Sequence, residues 1–135
     1  MASPKAQGPT KILVVEDEPD IARAIVTYGL AKGYSMVSAG DGLTALDMVR
    51  KEQPAVMLLD ISLPGMDGRD VYKTLEKEGL TKDLVVIFVT ARDSHMDRLV
   101  GLELGAADYE TKPIHFQLLF QRIRRLLEKK REGEI

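Results

Sequence analysis

Four apolar runs along this chain each end in a polar group able to handle phosphate or metal. Ile12-Leu13-Val14-Val15 leads to Glu16 and Asp17, Val56-Met57-Leu58-Leu59 to Asp60, and Val85-Val86-Ile87-Phe88-Val89 to Thr90. A weaker run around Ala106-Ala107 leads through Asp108 and Tyr109 to Lys112-Pro113. Short continuous runs rich in Val, Ile and Leu are the pattern of strands covered on both faces. They predict strands near 11–16, 55–60 and 84–90, with a short fifth near Ala106-Ala107 and a more alternating second at 34–39.

Helical spacing fills the gaps. Pro19 suits the first turn of a helix, with Asp17 or Glu18 before it and Gly33 after its end. Its inner face is Ile21, Ala24, Ile25, Tyr28 and Gly29. Gly40-Asp41-Gly42 turns into a second helix with Ala45, Leu46 and Val49 inside, and Val71, Tyr72 and Leu75 mark a third. A fourth is expected over about 94–104, stopped by Gly105. The fifth, from Ile114, carries Leu118, Leu119, Ile123, Leu126 and Leu127, with fraying expected from 128 onward. Strict alternation argues an α/β fold: a doubly wound, five-stranded parallel sheet with five helices, for which the flavodoxin-like order 2-1-3-4-5 is expected. Residues 1–10 read as a disordered lead, 11–129 as one domain and 130–135 as a charged tail.

Composition narrows the function. The 135 residues can bury a core without staples, and there is no cysteine for disulfide or thiol chemistry. A net charge of -2 argues for neither nucleic acid nor an anionic membrane. No run has the length of a membrane span and the polar start is no secretory signal, so a cytoplasmic protein is expected.

In an open parallel sheet, ligands bind at the carboxyl ends of the strands, so Glu16, Asp17 and Asp60 should converge there. Carboxylate pairs at ~4 Å repel by several kcal/mol at intermediate dielectric, and a divalent cation relieves this. Mg2+ is expected, because it takes few protein carboxylates and keeps waters and phosphate oxygens. Capping of the next helix could account for Glu18 or Asp20, but not for Asp60, alone after its strand. Lys112 by itself would read as solvated; beside Pro113, whose peptide bond can be cis, it reads as aimed at the acids and paired with Asp60. Thr90, otherwise an ordinary β-branched strand residue, can offer a hydroxyl to an anion. Together these residues fit one reaction. Asp60 is the nucleophile and forms an acyl phosphate, Mg2+ bridges carboxylate and phosphoryl group, and Lys112 and Thr90 take the remaining oxygens. His95 and His115 lack metal-ligand spacing and read as surface helix residues.

These residues resemble the receiver domain of two-component response regulators. The likeness rests on Val-Val-Glu16-Asp17-Glu18-Pro19, Leu-Leu-Asp60-Ile-Ser-Leu-Pro64-Gly-Met-Asp67-Gly68, Val-Thr90-Ala91 and Gly105-Ala-Ala-Asp108-Tyr109-Glu-Thr-Lys112-Pro113, and it spans residues 11 to about 129. It implies Asp60 as phosphoacceptor, fed by the phosphohistidine of a histidine kinase or phosphotransfer protein, or by a small phosphodonor. It further implies Asp17 as a direct Mg2+ ligand, Glu16 mainly through water, and the backbone carbonyl of Ser62 as another. Thr90 and Tyr109 would form a switch pair, the ring turning inward behind the hydroxyl; a half-buried strand aromatic is the simpler reading of Tyr109. Ala91 would leave the phosphoryl site accessible, and Ser62 would tune phosphoryl lifetime. No enzyme activity is implied beyond self-phosphotransfer and autodephosphorylation. Phosphorylation adds nearly two negative charges and would switch the face of helix four, strand five and helix five for a protein partner.

Gly101-Leu-Glu-Leu-Gly105-Ala-Ala-Asp108-Tyr109 and Arg122-Ile-Arg124-Arg125 resemble the winged-helix, DNA-binding branch, whose members dimerise through this face. Ala107 and Leu118 stand where that branch carries acids, which leaves Arg98 and Arg124 without customary partners and makes the face more apolar. A single-domain regulator with a protein target, and no direct nucleic-acid or membrane contact, is therefore expected; the alternative is the receiver fragment of a DNA-binding regulator. The cations at Arg122, Arg124, Arg125, Lys129, Lys130 and Arg131 read as complementing a helix dipole. From a different class, a Mg-dependent aspartyl phosphatase of the haloacid-dehalogenase type needs a second aspartate where this chain has Ser62. A degenerate receiver acting as a constitutive interaction module conflicts with the presence of every expected site residue.

Overall fold

The computed structural model describes residues 8–91, 99 and 101–135. Most of the expected lead and fourth helix, including His95 and Arg98, lies outside these residues. The order is β1 (Lys11–Val15), α1 (Pro19–Ala31), β2 (Ser35–Ala39), α2 (Gly42–Glu52), β3 (Val56–Leu59), α3 (Gly68–Lys77), β4 (Val85–Thr90), β5 (Asp108–Thr111) and a C-terminal helix (Phe116–Arg131). Residues 99 and 101–103, between β4 and β5, are helical and belong to the fourth of five helices. All strand pairs are parallel, in the order β2-β1-β3-β4-β5. This is the flavodoxin-like sheet expected.

Alternate strand positions feed two cores, which is why the strands are apolar throughout rather than at every second residue. Leu13, Val15, Met57, Leu59 and Phe88 pack with Leu46 and Val49 of α2 and Val71 and Leu75 of α3. Ile12, Val14, Leu58 and Ile87 pack on Ile25 of α1 and on Leu119, Phe120 and Ile123 of the C-terminal helix. Each fully buried Leu, Ile or Val contributes about 1.5–3 kcal/mol. Register aligns Val15 with Ala39 and Leu59, and Leu59 with Phe88, so the strand ends form one rim.

The helices start where local chemistry permits. Pro19 opens α1, Asp41 caps α2 by accepting the Thr44 N–H at 2.8 Å, and Asp67 caps α3 by accepting the Arg69 N–H at 2.8 Å.

Several expectations need correction. Ala24 is exposed, while Ile25 and Gly29 of the same expected face are buried. The fifth strand is Asp108–Thr111, beyond the Ala106-Ala107 run; as an edge strand it is only partly buried and reads as polar. The last helix starts at Phe116, with exposed His115 as N-cap, not as a helix residue; its ring nitrogen accepts the Leu118 N–H at 3.4 Å. Leu118 is half exposed, and Phe120 takes the inner position. The helix persists to Arg131, past the point at 128 where fraying was expected.

Candidate functional site

Backbone pairing hangs the polar groups on the rim. The Asp60 N–H donates to the Val15 carbonyl at 3.1 Å, the Glu16 N–H to Ala39 at 3.0 Å, and the Lys112 N–H to Thr90 at 2.9 Å. Asp60, Glu16 and Lys112 therefore each continue the hydrogen-bond ladder one step past a strand, and their positions are as fixed as the sheet.

Glu16 and Asp60 are buried while Asp17 is exposed, and one carboxylate oxygen from each lies within 4.8 Å of the others. Lys112 Nζ donates to Asp60 Oδ2 at 3.0 Å and stands 2.6 Å from Glu16 Oε1. The second Glu16 oxygen accepts the Glu18 N–H at 3.1 Å, and Asp60 Oδ1 accepts the Ser62 N–H at 3.0 Å. Glu18 is the N-cap of α1 but makes no side-chain cap.

Burial pushes the Glu16 carboxyl above its ordinary range. The Asp60 charge acts the same way, and the bonds from Lys112 and the Glu18 amide offset only part of this. Burial opposes charge on Lys112, but its bonds to Glu16 and Asp60 prevail and raise its pKa. Three carboxylates against one ammonium leave two formal negative charges, matched by one divalent cation. The donors are hard oxygens with one acid open to solvent, the set that suits Mg2+ or a similar ion. The sequence-predicted acids thus fit the metal chemistry expected of them.

Thr90 is fully buried at the end of β4. Tyr109 is 1% exposed, with its ring 6.3 Å from that of Phe88; it is an inward residue, not a half-buried one. Ser62 and Ala91 are exposed at the rim. The Lys112-Pro113 peptide bond is cis.

Two features escaped the sequence reading. The sequence pairs Lys112 with Asp60, whereas in the structure Glu16 is its nearer partner, at 2.6 Å against 3.0 Å. Gly68, in the motif after Asp60, has a role the sequence does not reveal: a Cβ there would collide with the Asp60 carbonyl oxygen and lie 2.9 Å from Ile61 Cα. The Gly68 N–H donates to the Ile61 carbonyl at 2.8 Å, closing the loop that carries Asp60. The signal available was a glycine directly after a helix-capping aspartate.

A family model for the response regulator receiver domain matches residues 12–124. Among solved structures, the chain is similar to the receiver domain of Francisella response regulator 1452, with a TM-score of 0.83 and 32% identity over 89% of this chain and 98% of that one. The BeF3-activated N-terminal receiver domain of Klebsiella pneumoniae RstA gives 0.81 and 32%, over 87% and 98%. A CheY-like response regulator receiver domain protein of Methanospirillum hungatei gives 0.86 and 25%, over 93% and 99%. With the whole sheet matched and the acids gathered on its rim, the chain belongs to the response regulator receiver domain family of two-component systems.

Proposed function

We propose that the chain is a phosphoacceptor switch in which Asp60 takes a phosphoryl group from the phosphohistidine of a histidine kinase or phosphotransfer protein. The Asp60 oxygen forms the new bond to phosphorus as the P–N bond breaks, and the imidazole nitrogen keeps the electron pair and gains a proton. Lys112 follows a phosphoryl oxygen with its ammonium, and the buried Thr90 hydroxyl donates to another. Glu16, Asp17, Asp60 and the Ser62 carbonyl would hold Mg2+, which supplies charge neutralisation in the loose transition state. Tyr109, buried beside Phe88 on the neighbouring strand, is the switch partner of Thr90. Residues 11–129 are taken as the receiver unit and the cytoplasm as its compartment.

Output is assigned to the face of the fourth helix, β5 and the C-terminal helix. Arg122 pairs with Glu110 and lies 3.6 Å from Asp108, so these charges are matched within the chain. Leu99, Leu102 and Leu118 are 40%, 42% and 50% exposed, which supports an apolar protein partner over nucleic acid. No described helix is long and apolar enough to cross a membrane.

The observation that carries this reading is Asp60 itself: a carboxylate only 4% exposed, ion-paired with Lys112 beside two further acids. Acetyl phosphate with Mg2+ should add one phosphoryl group by intact mass, and D60N should add none. Labelling that survives in D60N, or rapid hydrolysis of phosphomonoesters, would overturn the assignment.

A further inference from the structure

Three rings form a row on the sheet face that carries α2 and α3. Tyr72 of α3 lies 6.2 Å from Phe88 of β4 with 47° between planes, and Phe88 lies 6.3 Å from Tyr109 of β5 with 50°. Both pairs fall in the range that tilted aromatic contacts favour. Phe88 and Tyr109 are register partners, so their rings leave one face of the sheet side by side. Phe88 also precedes Thr90 by two residues and shares its face.

Two glycines cover the row. A Cβ on Gly101 would lie 3.1 Å from a ring carbon of Phe88 and 3.1 Å from one of Tyr109. One on Gly105 would lie 2.7 Å from the Tyr72 hydroxyl oxygen, at a backbone φ of +112°. The segment from 101 to 105 therefore rests with one glycine against Tyr109 and the other against Tyr72.

We propose that Tyr72 is a positioning residue for the switch: through Phe88 it holds the Tyr109 ring in its inward rotamer. This rests on the Thr90–Tyr109 reading above. An outward turn of Tyr109 strips Phe88 of a tilted partner and opens a gap beside Gly101. Tyr72 closes the opposite flank of Phe88 and so fixes the surface against which Tyr109 packs. The contact favours the inward ring, and with it the form that accepts a phosphoryl group on Asp60. It also links α3 to the ring that reports on the strand-five output face.

The test uses the whole chain with Mg2+ and fluoroberyllate, followed by NMR of the tyrosine rings, Tyr109 being assigned with Y109F. Tyr72→Leu should weaken fluoroberyllate binding by about three- to tenfold, the worth of one tilted aromatic pair. Tyr72→Phe, which keeps the ring, should retain wild-type affinity. Gly101→Ala should shift the Tyr109 ring resonances. Binding of Mg2+ alone should be the same in all of them, since a loss of folded structure would lower it too. If the wild-type Tyr109 ring does not respond to fluoroberyllate, the switch reading fails and this proposal with it. If the wild type responds and Tyr72→Leu binds as tightly, only the positioning role is overturned.

Discussion

Lys112 Nζ and Glu16 Oε1 are 2.6 Å apart, although their strands β5 and β1 are separated by two others. The lysine reaches across the rim of the sheet and is shared between Glu16 and Asp60. It thereby compensates both buried acids, not the phosphoacceptor alone.

Replacing Lys112 by Met would leave two nearly buried carboxylates facing each other. Removing one partner of a buried pair costs more than the pair contributes. With Asp17 open to water, the expected loss is about 1–3 kcal/mol in the metal-free protein at pH 7, read by urea denaturation. Mg2+ should restore most of it and bind more tightly than to the wild type, because no ammonium competes for the acids. Unchanged stability would mean that the shared ion pair contributes nothing.

Glu16 gives a signed pH dependence. Its raised folded pKa means that the native state holds this proton more tightly than the unfolded chain. Its contribution to stability is therefore complete below the ordinary value of 4.5 and is lost as pH rises through the folded value. In Mg2+-free buffer, E16Q should gain stability relative to wild type across that window. Wild-type affinity for Mg2+ should rise over the same window as the proton leaves. A pH-independent difference between the two proteins would contradict the burial effect.

Gly68→Ala should be far costlier than a surface glycine change. The added methyl meets the Asp60 carbonyl oxygen and the Ile61 backbone, and neither can rotate away as a side chain could. Overpacking of this kind costs about 1–3 kcal/mol, and the displaced loop should slow acetyl phosphate labelling of Asp60. Thermal melts and labelling rates of the variant check both; normal values in each would contradict the close contact.

Neighbouring leucines in the C-terminal helix should behave oppositely. Leu118 is 50% exposed and Leu119 is fully buried. L118E should change stability by less than about 0.5 kcal/mol, while L119A should cost about 2–5 kcal/mol. Equal effects in denaturant titrations would mean that the helix faces the sheet differently.

The element order, the parallel sheet and the identity of the rim residues were legible along the chain. Both signals are local. A strand covered on two faces must be apolar over its whole length, and the polar residue that ends it is the one that leaves the core. Glu16, Asp60 and Thr90 could be picked out on that basis because each directly follows such a run. The fifth strand was harder to bound, since an edge strand keeps polar residues at partly exposed positions.

Contacts between distant elements were decided only by the tertiary structure. In the C-terminal helix, Leu118, Leu119, Phe120, Ile123, Leu126 and Leu127 form an apolar arc too wide to specify one face, and packing on the sheet chose Leu119, Phe120 and Ile123. Which acid Lys112 approaches more closely depends on where strands one and five lie in the sheet. The closeness of Gly68 to the Asp60 carbonyl depends on how tightly the loop closes. Periodicity reports which side of an element is buried, but distances between side chains on separate strands arise only once the sheet is assembled.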